Sequence, residues 1–165
     1  MRTTVLAIAL LIAGFQRQLV AQSTGGLIGT WKLVSASTRS GDGTTNTAPY
    51  GSNPTGFLTY SPDGRMTAII SNGGRRPLSI ADRITAPADE RAQAFATFLA
   101  YAGRYTVEGD KVTHHIEAAS IQNWVNGDQV RFFTLDGDRL IVLTPSNYVF
   151  NGQPQTFELK WERVK

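Results

Sequence analysis

Gly29-Thr30-Trp31-Lys32-Leu33-Val34 opens one alternating stretch, and a last stretch carries Phe157, Leu159, Trp161 and Arg163 in a single phase. A tryptophan on a first strand and an arginine on a final strand meet only if the sheet curls round and closes on itself. The indole then caps the floor of a barrel and the guanidinium stacks on it as a cation–π contact. The pairing predicts a buried Trp31 with Arg163 against its ring.

Between these ends, turn signals recur at short intervals: Asp63-Gly64, Glu108-Gly109, Asn126-Gly127, Asp136-Gly137 and Asn151-Gly152. Each offers a residue that tolerates the positive φ of a tight hairpin. The intervening stretches are rich in β-branched and aromatic residues. They predict eight strands, at about 28–38, 54–61, 64–71, 103–108, 111–118, 128–135, 138–144 and 155–164. Hairpins in series form a meander. Eight such strands close into an all-β, up-and-down antiparallel barrel wide enough for one small ligand.

One segment departs from this pattern. Residues 87–102 predict a helix inserted between the third and fourth strands. Pro87 suits its first turn, Asp89 and Glu90 its positive dipole end, and Gly103 its C-terminal cap. Phe95, Phe98, Leu99 and Ala102 fall at helical spacing. That stripe either covers the barrel mouth as a lid or packs on the outer wall. Ser40 to Asn53 and Asn72 to Asp82 read as loops. Gly73-Gly74 is followed by no Lys-Ser/Thr and so marks a turn, not a phosphate loop.

The first residues read as a signal peptide over 1–23. Arg2 supplies the positive region, Val5 to Phe15 an apolar core too short for a membrane span, and Ala21-Gln22-Ser23 a small-x-small cleavage site. Processing is expected after Ser23, with Ala21 as the alternative. The barrel domain would be 24–165. Arg2 and Arg17 leave with the signal, so the formal net charge falls from +3 to +1. No basic run remains to engage nucleic acid. With no cysteine, packing alone holds the fold, and no lipid-anchoring thiol stands at the cleavage site. The expectation is an exported protein, periplasmic or secreted, with no membrane span in the mature chain.

Gly29-Thr-Trp31-Lys-Leu33-Val, Gly56-Phe-Leu-Thr-Tyr60-Ser-Pro-Asp-Gly64-Arg-Met66, Ala100-Tyr-Ala-Gly-Arg-Tyr105, His114-His115-Ile-Glu and Asn123-Trp124 followed by Gln129-Val-Arg131 together resemble the bacterial and fungal lipocalin-like domain family, within the calycins. The resemblance spans essentially the whole mature chain. It implies a closed barrel with an internal cavity, but no single activity, because such barrels host both carriers and enzymes.

His114 and His115 point to opposite faces of their strand. Val112 and Ile116 share the phase of His114, which is therefore expected inside, with His115 outside. An inward imidazole either contacts a ligand or is satisfied by a neighbouring tyrosine or carbonyl. No third residue at ligand spacing accompanies the pair, so neither metal nor cofactor is expected. Arg131 shares a phase with Phe133 and Leu135; if it faces inward, a ligand carboxylate is a natural partner. Tyr60, Tyr101, Tyr105 and Trp124 supply apolar bodies with polar tips, and Phe98 belongs to the apolar stripe of the helix. The expected cavity gathers His114, Tyr105 and Arg131 from three neighbouring strands.

Three functions remain open on this reading. The first is a carrier of a small, mainly hydrophobic or amphipathic molecule. The second is an isomerase, cyclase or hydrolase using the same cavity. The third is a structural domain with a filled core. No Ser–His–Asp signature, carboxylate pair or metal motif stands out.

Overall fold

A computed structural model describes residues 25–165. The expected signal segment lies outside the described residues, apart from which the chain forms one antiparallel sheet closed on itself. The strands are β1 (Gly29–Ser40), β2 (Thr45–Asn46), β3 (Thr55–Tyr60), β4 (Arg65–Ser71), β5 (Phe98–Glu108), β6 (Lys111–Ala119), β7 (Asp128–Asp136), β8 (Arg139–Leu143), β9 (Tyr148–Phe150) and β10 (Gln153–Arg163), with helix α1 (Ala88–Ala96) between β4 and β5. The sheet order is β2-β1-β3-β4-β5-β6-β7-β8-β10-β9, and a β1–β10 ladder closes the barrel. Eight strands form the wall. The short β2 and β9 lie at its mouth, where Ser40 pairs with Gln155. Among the described residues, no helix is long and apolar enough to cross a membrane.

The opposite end is the floor. Trp31 is 0 % exposed, and the guanidinium of Arg163 sits 4.0 Å from its ring centroid. Arg163 donates from Nη1 to the Ile28 carbonyl at 2.8 Å and from Nη2 to the Gly26 carbonyl at 2.7 Å, while its Nε meets Asp138 at 3.2 Å. The indole N–H of Trp31 donates to the Leu27 carbonyl at 2.9 Å. Gly29 has φ 135°, and a Cβ there would stand 2.7 Å from Arg163 Nη1. The glycine of the Gly-x-Trp motif thus makes room for the guanidinium.

Two bulges re-aim the wall. In β1 the register slips between Leu33 and Ser35, so the inward phase passes from Trp31 and Leu33 to Ala36 and Thr38, and Val34 is left 54 % exposed. The second slip, opposite Ala102 and Gly103, leaves Glu117 of β6 as the extra residue. There the backbones approach so closely that a Cβ on Gly103 would run into the His115 carbonyl.

That observation corrects the expected helix over 87–102. Gly103 is a strand residue, not a cap. Helix α1 ends at Ala96, where the Thr97 hydroxyl donates to the Gln93 carbonyl at 2.6 Å. From Phe98 onward the chain pairs with β4, Phe98 facing Ser71 and Arg104 facing Arg65. β5 therefore begins five residues before the expected 103. Satisfying the whole β4 edge outweighs the helical spacing of Phe98, Leu99 and Ala102, whose alternation with Tyr101 and Tyr105 serves a strand equally well. The helix itself buries no residue. It leans on the preceding loop, where Glu90 accepts from the Ser79 amide at 2.8 Å and Arg75 donates to the Ala94 carbonyl at 3.1 Å. Its Phe95 is 59 % exposed and borders a depression at the mouth with Phe98 and Leu99.

Candidate functional site

The inward faces of β5, β6 and β7 bring polar groups into an otherwise apolar interior. His114 is 1 % exposed and lies between two phenols: its Nε2 is 2.8 Å from the Tyr60 hydroxyl and its Nδ1 3.2 Å from that of Tyr101. Burial, then the nearby Arg131 charge, then His115 hold its pKa well below 6.5, so the ring is neutral. Tyr60 and Tyr101 are likewise kept protonated by burial, an effect Arg131 partly offsets at both. The histidine is thus satisfied by neighbouring tyrosines.

A neutral imidazole has one donor and one acceptor nitrogen. Tyr60 is fully enclosed, and among the described residues His114 is its one side-chain hydrogen-bond partner. Its proton must go to Nε2, or a buried hydroxyl would be left unmade. This hydrogen-bond count assigns the proton to Nδ1, which donates to the Tyr101 oxygen. The O–H of Tyr101 is then free to face the cavity.

Arg131 is 6 % exposed. It donates to its own neighbours, the Val130 carbonyl at 2.7 Å and Gln129 Oε1 at 3.2 Å, and its guanidinium lies 5.6 Å from the Tyr148 ring centroid. Among the described residues no carboxylate pairs with it.

These groups border an internal cavity of about 40 Å³. Tyr101, His114 and Arg131 line it with Thr144, Tyr148 and Trp161 among aliphatic and aromatic walls. At this size the interior is close to filled, with room for little more than water. Outside it, a 260 Å³ depression at the mouth takes in Phe95, Phe98, Leu99, Trp124 and Tyr148, and a 380 Å³ groove runs past Arg131, Trp124 and Tyr148. Tyr148 borders all three spaces and Trp124 the outer two. The two rings meet edge-on at 6.4 Å.

The expected site residues therefore separate. His114, Arg131 and Tyr101 converge on the cavity. Tyr60 stands behind His114. Tyr105 does not line the cavity: it packs on Tyr60 at 4.8 Å and donates to the Ser61 carbonyl at 3.1 Å, because the inward direction of β5 there points at the β3–β4 turn. Phe98 and Trp124 belong to the mouth, and Arg75 lies 5.2 Å over the Phe98 ring. His115 faces outward, bridging Thr106 at 3.0 Å and Asp128 at 2.7 Å on the exposed wall. Tyr50, Thr144, Tyr148 and Trp161 were not anticipated. Alternation in Tyr148-Val149-Phe150 ahead of Asn151-Gly152 is the signal that would have found β9.

The lipocalin-like domain model matches residues 28–164. A 4'-hydroxy-3'-methoxypropiophenone carrier protein of Aspergillus oryzae is 32% identical over 84 residues, covering 46% of this chain and 76% of its own. A lipocalin-like protein from Bacteroides uniformis is 13% identical with a TM-score of 0.43, covering 84% of this chain and 99% of its own. An uncharacterized protein from Bacteroides eggerthii is 12% identical with a TM-score of 0.42 over 84% and 99% of the two chains.

Proposed function

The chain belongs to the lipocalin-like domain family, and on that premise we propose that it is an exported carrier of a small, mainly apolar molecule bearing an acidic group. The observation that carries this reading is Arg131. A cation taken out of water without a carboxylate costs several kcal/mol, and here it stands at the rim of an aromatic-walled cavity. By volume alone the interior would serve as a filled core; the unpaired charge is what a purely structural core does not need. The carrier function of the Aspergillus relative agrees with the carrier part of this reading, and its aryl ketone is small and mainly apolar. Export rests on the Arg2, Val5–Phe15 and Ala21-Gln22-Ser23 pattern.

Entry requires movement. Tyr148 divides the cavity from the mouth depression and from the groove beside Arg131. Movement of Tyr148, with Tyr50 and Leu99 that also border both the cavity and the depression, would join these spaces and open a path to the guanidinium. Enzymatic acid–base work is less well supported, because both nitrogens of His114 are already occupied by tyrosines.

The test is a titration of tryptophan fluorescence with hydrocinnamate and with its amide, which has the same shape without the charge. Arg131→Leu is expected to weaken the acid at least tenfold more than the amide while the far-UV spectrum is unchanged. Equal weakening of both would make Arg131 structural.

A further inference from the structure

Trp161 holds a polar group with nothing to bind. Its side chain is buried, at 4 % exposure, it lines the cavity, and its indole Nε1 has no hydrogen-bond partner among the described residues. Buried N–H groups are seldom left in this state, because an unmade bond costs the full desolvation of the donor. The contrast with Trp31 is direct: that indole is equally buried and donates to Leu27.

Several of the other polar groups facing the cavity have a proton to give. Arg131 can only donate. Tyr101 has a free proton once the Tyr60–His114 pair is assigned. Thr144 already accepts from the Phe157 amide at 2.8 Å, which leaves its own proton to give. Among the described residues, no Asp, Glu, Asn or Gln lines the cavity. Tyr50 and Tyr148 add hydroxyls that both donate and accept, so the groups that only donate, Arg131 and the Trp161 indole, are matched by no group that only accepts.

The donors also fall into two groups by depth. Phe133, Val142 and Leu159 form one row across β7, β8 and β10, and Leu135, Leu140 and Trp161 the next row toward the floor. Arg131 lies one inward step on the mouth side of the first row, level with Thr144 and Phe157. Two inward steps correspond to about 13 Å along a strand.

We propose that Trp161 is a ligand-reading residue, and that the cavity, once widened into the mouth depression and the groove beside Arg131, takes an elongated aromatic molecule with an acid at its outer end and a carbonyl or other acceptor oxygen at its inner end. This inference rests on the carrier reading and adds a second, deeper point of recognition to it. Arg131 and Tyr101 receive the acid, and Trp161 receives the carbonyl. An ammonium, which can only donate, finds no use for the indole N–H at the inner end and is rejected.

A matched pair of probes tests it. Para-acetyl-hydrocinnamate carries both acceptors, and para-ethyl-hydrocinnamate lacks the inner oxygen at nearly the same size. Wild-type protein is expected to bind the acetyl compound about tenfold more tightly, the range of a hydrogen bond to an otherwise orphaned donor. Trp161→Phe is expected to erase that preference. In the wild type, the indole N–H resonance of Trp161 should move downfield with the acetyl compound alone, while that of Trp31 stays in place. That readout does not depend on the variant folding. Equal affinities, or an unmoved Trp161 resonance with the acetyl compound bound, would overturn the inference and leave the carrier reading standing, the indole then being served by trapped water. Binding of neither compound would remove the carrier reading and this inference with it.

Discussion

Of the three arginines that approach aromatic rings among the described residues, the one at the floor and the one beside the cavity have surroundings that differ in a way that separates support from recognition. Arg163 lies 4.0 Å from the Trp31 centroid, gives protons to two backbone carbonyls and faces Asp138. Arg131 lies 5.6 Å from Tyr148, and its two donations go to its own strand neighbours, with no carboxylate among the described residues. The floor arginine has its hydrogen-bonding capacity spent inside the protein. The mouth arginine has capacity left over. A satisfied ion stiffens the fold, whereas an unsatisfied one is held at a cost and waits for a partner.

The most severe way to break this comparison is at the floor. Trp31→Ala should cost ~3–5 kcal/mol in urea unfolding, as a large-to-small change at a fully enclosed site. A loss below ~1.5 kcal/mol would show that the indole does not hold the floor. Next comes the direct contrast. Arg163→Leu strands the carbonyls of Gly26 and Ile28 and should cost about 2–3 kcal/mol. Arg131→Leu should be neutral or stabilising, since it removes a buried charge that nothing neutralises. Equal costs for the two variants would erase the distinction between the ends.

Acid sharpens it further. His114 is neutral when folded, its pKa depressed by burial, Arg131 and His115. In the unfolded chain it titrates near the ordinary value of about 6.5. Below that pH the unfolded state takes up a proton that the folded state refuses. This contribution is therefore complete above pH ~6.5 and is lost as pH falls, by up to about 1.4 kcal/mol per pH unit. Urea midpoints between pH 7 and pH 5 would measure it, and His114→Gln should flatten the slope. The smallest effect is in dynamics. Hydrogen exchange should open α1 and β9 well before the β5–β6 ladder, because the helix buries no residue and β9 pairs through three positions. Protection of β9 equal to that of β5 would argue against Tyr148 as a gate.

Much of the barrel was legible in the chain because closure and hairpins are local chemistry. Gly29 before Trp31, the phase of Arg163 and the Asp-Gly and Asn-Gly turns each state a backbone requirement on their own. The start of β5 was not legible, since Phe98, Leu99 and Ala102 satisfy a helical period and a strand equally; the unpaired edge of β4 decided it. The slip between Leu33 and Ser35 leaves no mark in composition. At the site, parity left Arg131 open, because its strand is apolar on both faces, whereas His114 could be placed by it. Tyr105 could not, because its parity is inward while its hydroxyl reaches a turn. Trp161 read as one more core aromatic. That its N–H lacks a partner is a property of what surrounds it, and no spacing in the sequence records an absence.

The ladder that closes the barrel joins its first strand to its last, through groups as far apart as Ile28 and Arg163, 135 positions along the chain. Contacts so distant must wait for nearly all the loop entropy to be spent, so this seam is expected to form late and slowly. Until Arg163 has been synthesised, β1 and β8 are open edges that can pair with other chains. A nascent copy therefore has no closed form to settle into. It stays threadable for as long as its final strand is missing, and it is most vulnerable to aggregation in the same interval.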